Sequence, residues 1–216
     1  MKRIRKNFIA SLCLLTAFVL WTAAIVLVDV RAIGPQGSSV GFAGINNFVH
    51  NLTGVHFVLS NITDWLGLVP ILVCMGFGAL GLVQWIKRKS IRKVDFSILV
   101  LGGFYIVTIA AFLVFEHFIV NYRPVLINGY LEASYPSSTT LLVTCVMPTA
   151  AMQFNNRINN KVLRNIVSVT IIAFITFMVF GRLISGVHWF TDIVGGALLS
   201  AGLVLMYRAI ISFGVR

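Results

Sequence analysis

The stretch GRLISGVHWFTD, residues 181–192, separates two long apolar runs near the end of the chain. It places an arginine, a histidine and an aspartate where a lipid-embedded chain normally excludes polar groups, so these residues are candidates for function. If the segment from His188 onward is helical, Asp192 lies one turn later on the same face and its carboxylate can accept the proton of one ring nitrogen. The other nitrogen can then attack or accept a proton, and Arg182 supplies a charged fork for a phosphate. The alternative is a set of interfacial polar residues at a helix entry.

The composition predicts an all-α integral membrane protein. Hydrophobic residues make up 58% of the 216 residues and charged residues 11%, against roughly 45–50% and 25% in soluble domains. The length suffices for a single domain, residues 1–216, of about six spanning helices. The net charge is +11, but nucleic-acid binding requires a soluble basic face, so we expect no nucleic-acid partner. The three cysteines lie in apolar runs, and we interpret them as buried hydrophobic residues without disulfide or metal.

Six apolar runs follow one another along the chain. We predict that the spanning helices lie at residues 8–28, 66–86, 96–120, 137–154, 166–184 and 191–213. The first run is longer than the core of a signal peptide, about 7–15 residues, so we expect it to remain in the protein. The outer loop, residues 29–65, is polar and glycine-rich, but apolar residues recur at helical spacing between Phe42 and Leu52. This spacing predicts a short amphipathic helix lying in the membrane interface.

The basic residues are distributed unevenly between the two sides of this arrangement. Of the 17 Lys and Arg residues, 14 lie at the termini and in the loops after the second and fourth runs, and three lie on the other side. The positive-inside rule therefore predicts that both termini are cytoplasmic and that the basic excess faces anionic lipid. Arg123 and Arg182 are two of the three outward arginines and have no role in orientation. They predict an anion site at the outer face of a plasma membrane.

The segment PSSTT, residues 136–140, directly precedes the fourth run. Ser and Thr at a helix start cap the free amides, and the positive end of a helix binds phosphate. Capping alone is a sufficient explanation of this segment taken by itself. Its position on the same side as Arg123, Arg182 and His188 favours phosphate binding.

These three segments together resemble the type 2 phosphatidic acid phosphatase (PAP2) superfamily, whose signature is K-x6-R-P, then P-S-G-H, then S-R-x5-H-x3-D. In this chain the segments read E-x6-R-P from Glu116, P-S-S-T from Pro136 and G-R-x5-H-x3-D from Gly181. The order, the loop placement and the six-helix topology match over nearly the whole chain after the first helix. The resemblance implies a PAP2-type helical bundle whose site lies at the outer leaflet and requires no metal or cofactor.

The resemblance also implies roles for individual residues. His188 is expected to be the nucleophile that forms a phosphohistidine, and Asp192 is expected to orient it. The residues expected to hold the substrate, by side chains or nearby backbone amides, are Arg123, Ser137, Ser138, Thr139 and Arg182.

Three positions depart from the family signature: Glu116 replaces a phosphate-binding lysine, Thr139 the histidine thought to protonate the leaving group, and Gly181 a serine. General acid catalysis is typically worth about 10²–10⁴ in rate and matters most for a poor leaving group. A diphosphate expels a phosphate, which leaves well without a proton, so the departures favour a prenyl or other lipid diphosphate. Alternatively Glu116 or His117 is the acid, because bound phosphate raises the proton affinity of a nearby carboxyl.

Two other functional classes compete with a lipid phosphatase. A non-catalytic relative that binds anionic lipid head groups, or assists lipid transport or another protein, is favoured by the three departures. A haem-binding electron carrier requires paired histidines inside the bundle, whereas the four histidines lie toward the outer ends or in loops. The sequence thus predicts a lipid phosphate substrate and membrane lipids as partners, and carries no signal for the number of subunits.

Overall fold

The computed structural model describes residues 2–214, and nearly all of its regular structure is helical. Eight α-helices follow one another in this part of the chain, together with two single turns of 3₁₀ helix. Their bounds are α1 Lys2–Leu27, α2 Ala43–Thr53, α3 Phe57–Leu66, α4 Leu68–Arg88, α5 Phe96–His117, α6 Ser138–Arg157, α7 Lys161–Ile184 and α8 Phe190–Gly214. The all-α class predicted from the composition is confirmed.

Five helical stretches within residues 2–214 are long and apolar enough to cross a membrane. They are α1, the pair α3 and α4 together (Phe57–Arg88), α5, α7 and α8. The helices differ from the predicted apolar runs at their ends: α1 begins at Lys2, the second stretch begins at Phe57, and α5 ends at His117. Backbone hydrogen bonding continues into polar flanks, so the first two stretches begin before their apolar cores. Helix α5 instead ends before the predicted residue 120, because the backbone leaves the helical conformation at Phe118. The chain is a multi-pass membrane protein.

Helix α6 covers the predicted fourth span but is less apolar than the other five. Its 20 residues correspond to about 30 Å of helix, the thickness of a hydrocarbon core. Its polar side chains are bonded inside the bundle: Thr144 lies 2.7 Å from the Ser200 hydroxyl, and Gln153 bonds the Tyr207 hydroxyl. Because α6 packs against α4, α5, α7 and α8, it does not need an apolar surface of its own. The sixth span stays a prediction.

Helix α8 lies at the centre of the bundle and packs against α1, α5 and α6. Gly202 allows α1 to approach closely, because a Cβ atom there would lie 2.8 Å from the Leu15 side chain. At the same contact the Ser11 hydroxyl donates to the Gly202 carbonyl at 2.7 Å. Close packing of α8 against α1 fixes the position of α8 along the bundle. The first residues of α8, which belong to the candidate site, are thereby held in place.

The outer loop contains two helices where the sequence predicted one. Helix α2 confirms the predicted helical segment, and its exposed face carries Ile45, Phe48 and Leu52. Helix α3 was not predicted, and it continues into α4 through a junction at Gly67. It packs against α7 and so brings its polar residues beside Arg182.

At the end of the bundle away from this loop, Asp95 precedes α5 and connects three helices. Its carboxylate accepts from Gln84 at 2.8 Å and lies 2.9 Å from Arg88 and 3.4 Å from Arg157. The hydrogen bond from Gln84, followed by the two arginines, lowers the pKa of this carboxyl. These contacts join the ends of α4 and α6 to the start of α5.

Candidate active site

A cavity of about 190 Å³ lies where α5 ends and α6 and α8 begin. Four of the predicted site residues line it: Glu116, Arg123, Ser138 and His188. The other lining residues are Phe112, Phe115, Glu132, Ala133, Ser134, Tyr135, Pro136 and Leu141. Three segments that are far apart in the sequence therefore meet at one cavity.

His188 lies in the turn between α7 and α8 and is 4% exposed. Its Nδ1 atom lies 3.1 Å from the Ser134 carbonyl oxygen and 3.7 Å from Oδ2 of Asp192. The nearest acceptor is thus the carbonyl, whereas the sequence favoured the carboxylate. A proton on Nδ1 that is donated to this carbonyl leaves Nε2 as a lone pair.

Asp192 is fully buried and is bonded to two segments of the chain. One carboxylate oxygen accepts from the Trp189 backbone N–H at 2.9 Å, and the other accepts from the Asn121 amide at 3.4 Å. Its backbone carbonyl accepts from the Ser137 N–H at 3.1 Å. Asp192 therefore joins the start of α8 to both preceding loops. No sequence pattern pointed to Asn121, because an amide in a loop fits many roles.

Arg182 is 1% exposed and bonded mainly by α3. Its Nη1 atom lies 2.8 Å from Oδ1 of Asp64, 3.1 Å from the Ser60 hydroxyl and 3.2 Å from the Thr63 hydroxyl. Its Nη2 atom lies 3.3 Å from Nε2 of His188. The structure thus brings the two predicted residues together. The three α3 residues recur at helical spacing, a polar face that the sequence analysis missed.

Arg123 lines the cavity beside two carboxylates. Its Nε atom lies 3.2 Å from Oε2 of Glu132, and its backbone N–H donates to the Glu132 carbonyl at 3.0 Å. The second carboxylate, Glu116, lines the same cavity. Glu132 was not predicted as a site residue. It lies opposite Arg123 only because the two halves of the loop between α5 and α6 pair with each other.

The three hydroxyl residues at the start of α6 have different surroundings. The Ser137 hydroxyl is buried and accepts from the Thr140 N–H at 3.5 Å, so it caps α6. Ser138 lines the 190 Å³ cavity. Thr139 lines a second, mainly apolar cavity of about 330 Å³ between α4, α5 and α6. Of the three predicted substrate-binding positions at this helix start, only Ser138 faces the cavity that contains His188.

The outer loop also holds the turn that carries His188. The Asn46 side chain donates to the Thr191 hydroxyl at 3.0 Å and to the Gly41 carbonyl at 2.8 Å, and it accepts from the Thr191 N–H at 3.2 Å. The backbone N–H of His56 donates to the Ser185 carbonyl at 2.9 Å. Segments on both sides of His188 are therefore bonded to the outer loop.

Replacing Asn46 with alanine is expected to lower the unfolding free energy by about 1–3 kcal/mol, because the buried Thr191 N–H loses its acceptor. Thermal unfolding of the purified protein in detergent measures the loss. Asn61→Ala, at an exposed position, is the matched control and should leave the midpoint unchanged. Equal midpoints for the two variants would show that Asn46 does not support this loop.

Burial, together with the positive charges of Arg123 and Arg182, holds the pKa of His188 well below its ordinary value of 6.5. The imidazole is therefore neutral in the folded protein at neutral pH, which is the form that a nucleophile requires.

This pKa shift predicts a pH-dependent stability. The unfolded chain takes up a proton at His188 near pH 6.5 and the folded chain does not, so stability is lost as the pH falls below that value. His188→Gln removes the titrating group. We expect its unfolding temperature to fall less than that of the wild type between about pH 7.5 and pH 5.5. A parallel fall in both proteins would contradict the burial of a neutral His188.

Comparisons with known proteins agree with this arrangement. The sequence pattern of the PAP2 superfamily matches residues 106–214, slightly more than half of the chain. No curated protein matches the sequence. The fold is similar to the crystal structure of a transmembrane PAP2-type phosphatidylglycerolphosphate phosphatase from Bacillus subtilis, with a TM-score of 0.64 and 16% identity over 94% of this chain and 96% of that one. The family expected from the three motifs is confirmed: this chain belongs to the PAP2 superfamily.

Proposed function

We propose that this protein is a membrane lipid phosphatase that hydrolyses a lipid diphosphate through a phosphohistidine at His188. Membership of the PAP2 superfamily and the fold of a PAP2-type phosphatase support a phosphatase-type hydrolase in general. The observation that carries the finer proposal is the 3.3 Å distance between Nε2 of His188 and Nη2 of Arg182, beside a cavity lined by Arg123. A nucleophile that lines the cavity together with one cation, Arg123, and contacts a second, Arg182, fits phosphoryl transfer.

In the proposed reaction, Nε2 of His188 forms a bond to the terminal phosphorus while the bond to the bridging oxygen breaks. The electron pair of that bond leaves with the lipid monophosphate. Water then attacks the phosphohistidine, phosphate is released, and the proton of the water passes to solvent. Arg123 and Arg182 offset the charge that develops on the phosphoryl oxygens, and the reaction needs no metal.

The choice of a diphosphate depends on the leaving group. Thr139 faces the apolar 330 Å³ cavity, and neither it nor another residue of the second motif offers a titrating acid. Departure of a phosphate needs little help from an acid. Glu116 lines the 190 Å³ cavity and is the alternative acid if the substrate is a monoester. The apolar cavity shares Phe112, Ser138 and Leu141 with the polar one and offers space for the lipid chain.

The site is proposed to face the outside of the plasma membrane. The uneven distribution of the 17 basic residues supports this orientation. The substrate would then enter from the outer leaflet.

The direct test is phosphate release by the purified protein in detergent, with a prenyl diphosphate and the matching prenyl monophosphate as substrates. We expect release from both to persist in the presence of a metal chelator, and release from the diphosphate to be faster. A faster reaction with the monophosphate would overturn the diphosphate assignment and point to Glu116 as the acid.

The second candidate function is binding of an anionic lipid head group without turnover. It is favoured by the charges at the site: Glu116 and Glu132 line the cavity, and Asp64 pairs with Arg182. This function predicts that the protein binds lipid phosphates without releasing phosphate. Its affinity should then be unchanged by His188→Ala.

A further inference from the structure

Asp64 lies outside the residues that match the family, yet it makes the shortest polar contact to the Arg182 guanidinium. The Oδ1 atom of Asp64 lies 2.8 Å from Nη1, and the residue belongs to α3, whereas the family match begins at residue 106. The arginine side chain is 1% exposed and the aspartate side chain 52%. A buried guanidinium with a half-exposed carboxylate partner therefore lies next to His188.

The hydrogen bonds of Arg182 divide its guanidinium into two edges. Three side chains of α3 surround Nη1 at 2.8–3.2 Å. Nη2 lies beside His188, and Nε is buried without a hydrogen-bond partner among the described residues. Since a guanidinium binds phosphate best through two neighbouring N–H groups, the edge formed by Nε and Nη2 is the one available to an anion.

An alternative orientation of this guanidinium is excluded by the α3 residues. If Nη1 turned toward the cavity, its contacts with the Ser60 hydroxyl and the Asp64 carboxylate would be broken. Because the Arg182 side chain is buried, loss of these contacts leaves its charge uncompensated, which is unfavourable. Asp64 is itself kept in place, because the Ser60 hydroxyl donates to its other oxygen at 3.4 Å.

We propose that Asp64 is a positioning residue of the phosphate site: it holds Nη1 of Arg182 on α3, so that the edge formed by Nε and Nη2 faces the phosphoryl group at His188. This inference rests on the proposed function for its kinetic part only. A loosened guanidinium still neutralises charge, but it no longer meets the phosphoryl oxygens at a fixed place, and misplacement by about 1 Å costs up to about 10²-fold.

The test compares Asp64→Asn, Asp64→Glu and a control, Asp29→Asn. Asp29 forms an ion pair of the same length, 2.8 Å, with the exposed Arg31 on the same loop. Two measurements are made on each full-length protein in detergent. Calorimetry gives the dissociation constant for orthovanadate, and initial rates give kcat and KM for a lipid diphosphate. Thermal unfolding shows whether each variant is folded.

We expect Asp64→Asn to weaken vanadate binding and to lower kcat by about 10- to 100-fold, with little change in KM. Asp64→Glu keeps the carboxylate and should restore most of both quantities. Asp29→Asn should match the wild type. A role of Asp64 in folding alone would lower the unfolding temperature without weakening vanadate binding by the folded protein.

The two proposals fail in different ways. If the wild type binds vanadate but releases no phosphate, the proposed function is wrong, and Asp64 is still judged by vanadate affinity. If the folded Asp64→Asn protein binds vanadate as tightly as the wild type, the positioning role is wrong even when phosphate is released. Failure of the wild type to bind vanadate would overturn both proposals.

Discussion

His188→Ala is expected to abolish phosphate release, with a loss of at least about 10³-fold, the scale on which removing an enzyme's nucleophile acts. The physical reason is that His188 supplies the only imidazole among the described residues that line the cavity. The hydrogen bond between Nδ1 and the Ser134 carbonyl holds the ring in place and leaves Nε2 as the attacking atom. Initial rates with a lipid diphosphate measure the loss.

The intermediate offers a second measurement of the same prediction. Wild-type protein that is mixed with a substrate labelled in its terminal phosphate and then denatured should carry an acid-labile, base-stable label, and His188→Ala should carry none. His56→Ala is the matched control, because that histidine is exposed and its side chain bonds only the Thr53 carbonyl among residues 2–214. Retention of label or of turnover by His188→Ala would rule out this histidine as the nucleophile.

The sequence predicted most of the bundle because the apolar runs are local signals. A run of about 20 apolar residues has few alternatives to a membrane helix, and residues 2–214 contain five such stretches. Helix α6 shows the limit of that signal. Because α6 is buried inside the bundle, it can carry polar residues such as Thr144 and Gln153, whose side chains form hydrogen bonds with α8. Hydropathy reports contact with lipid, and α6 is surrounded largely by protein.

The candidate-site residues that could be predicted are those that lie at fixed spacing along one segment of the sequence. His188, Arg182 and Asp192 lie within residues 181–192, and the structure places Arg182 and Asp192 each within 4 Å of His188. Asp64 and Glu132 were not predictable in the same way. The packing of α3 on α7 brings Asp64 to Arg182. The pairing of the two halves of a loop brings Glu132 to Arg123.

The missed carboxylates change the electrostatics of the site. From the sequence, Arg123 and Arg182 formed an anion site in which no carboxylate was expected to pair with either arginine. In the structure each has a carboxylate within 3.2 Å. Such pairs keep buried arginines compensated when no substrate is present. An incoming phosphate must therefore compete with Glu132 for Arg123, whereas Arg182 keeps an edge that Asp64 does not occupy.

Gly186→Ala is expected to damage folding and activity together. Gly186 has a φ of 66°, and a Cβ atom there would lie 1.8 Å from the carbonyl oxygen of Gly54. The left-handed conformation alone costs an alanine roughly 1–2 kcal/mol, and the clash can be relieved only if two backbone segments separate. That movement breaks the bond between His56 and Ser185 and shifts the turn that carries His188.

The matched control separates the two contributions. Gly129 has a φ of 83° but no atom within 4 Å of an added Cβ, so Gly129→Ala carries the conformational cost without the clash. We expect Gly129→Ala to lower the unfolding temperature slightly and to leave vanadate binding intact. Gly186→Ala should unfold at a much lower temperature and bind vanadate weakly where it is folded. The clash with Gly54 is the feature that distinguishes Gly186→Ala from Gly129→Ala. Similar behaviour of the two variants would therefore mean that the contact between the outer loop and the turn at residues 185–188 does not hold His188 in place.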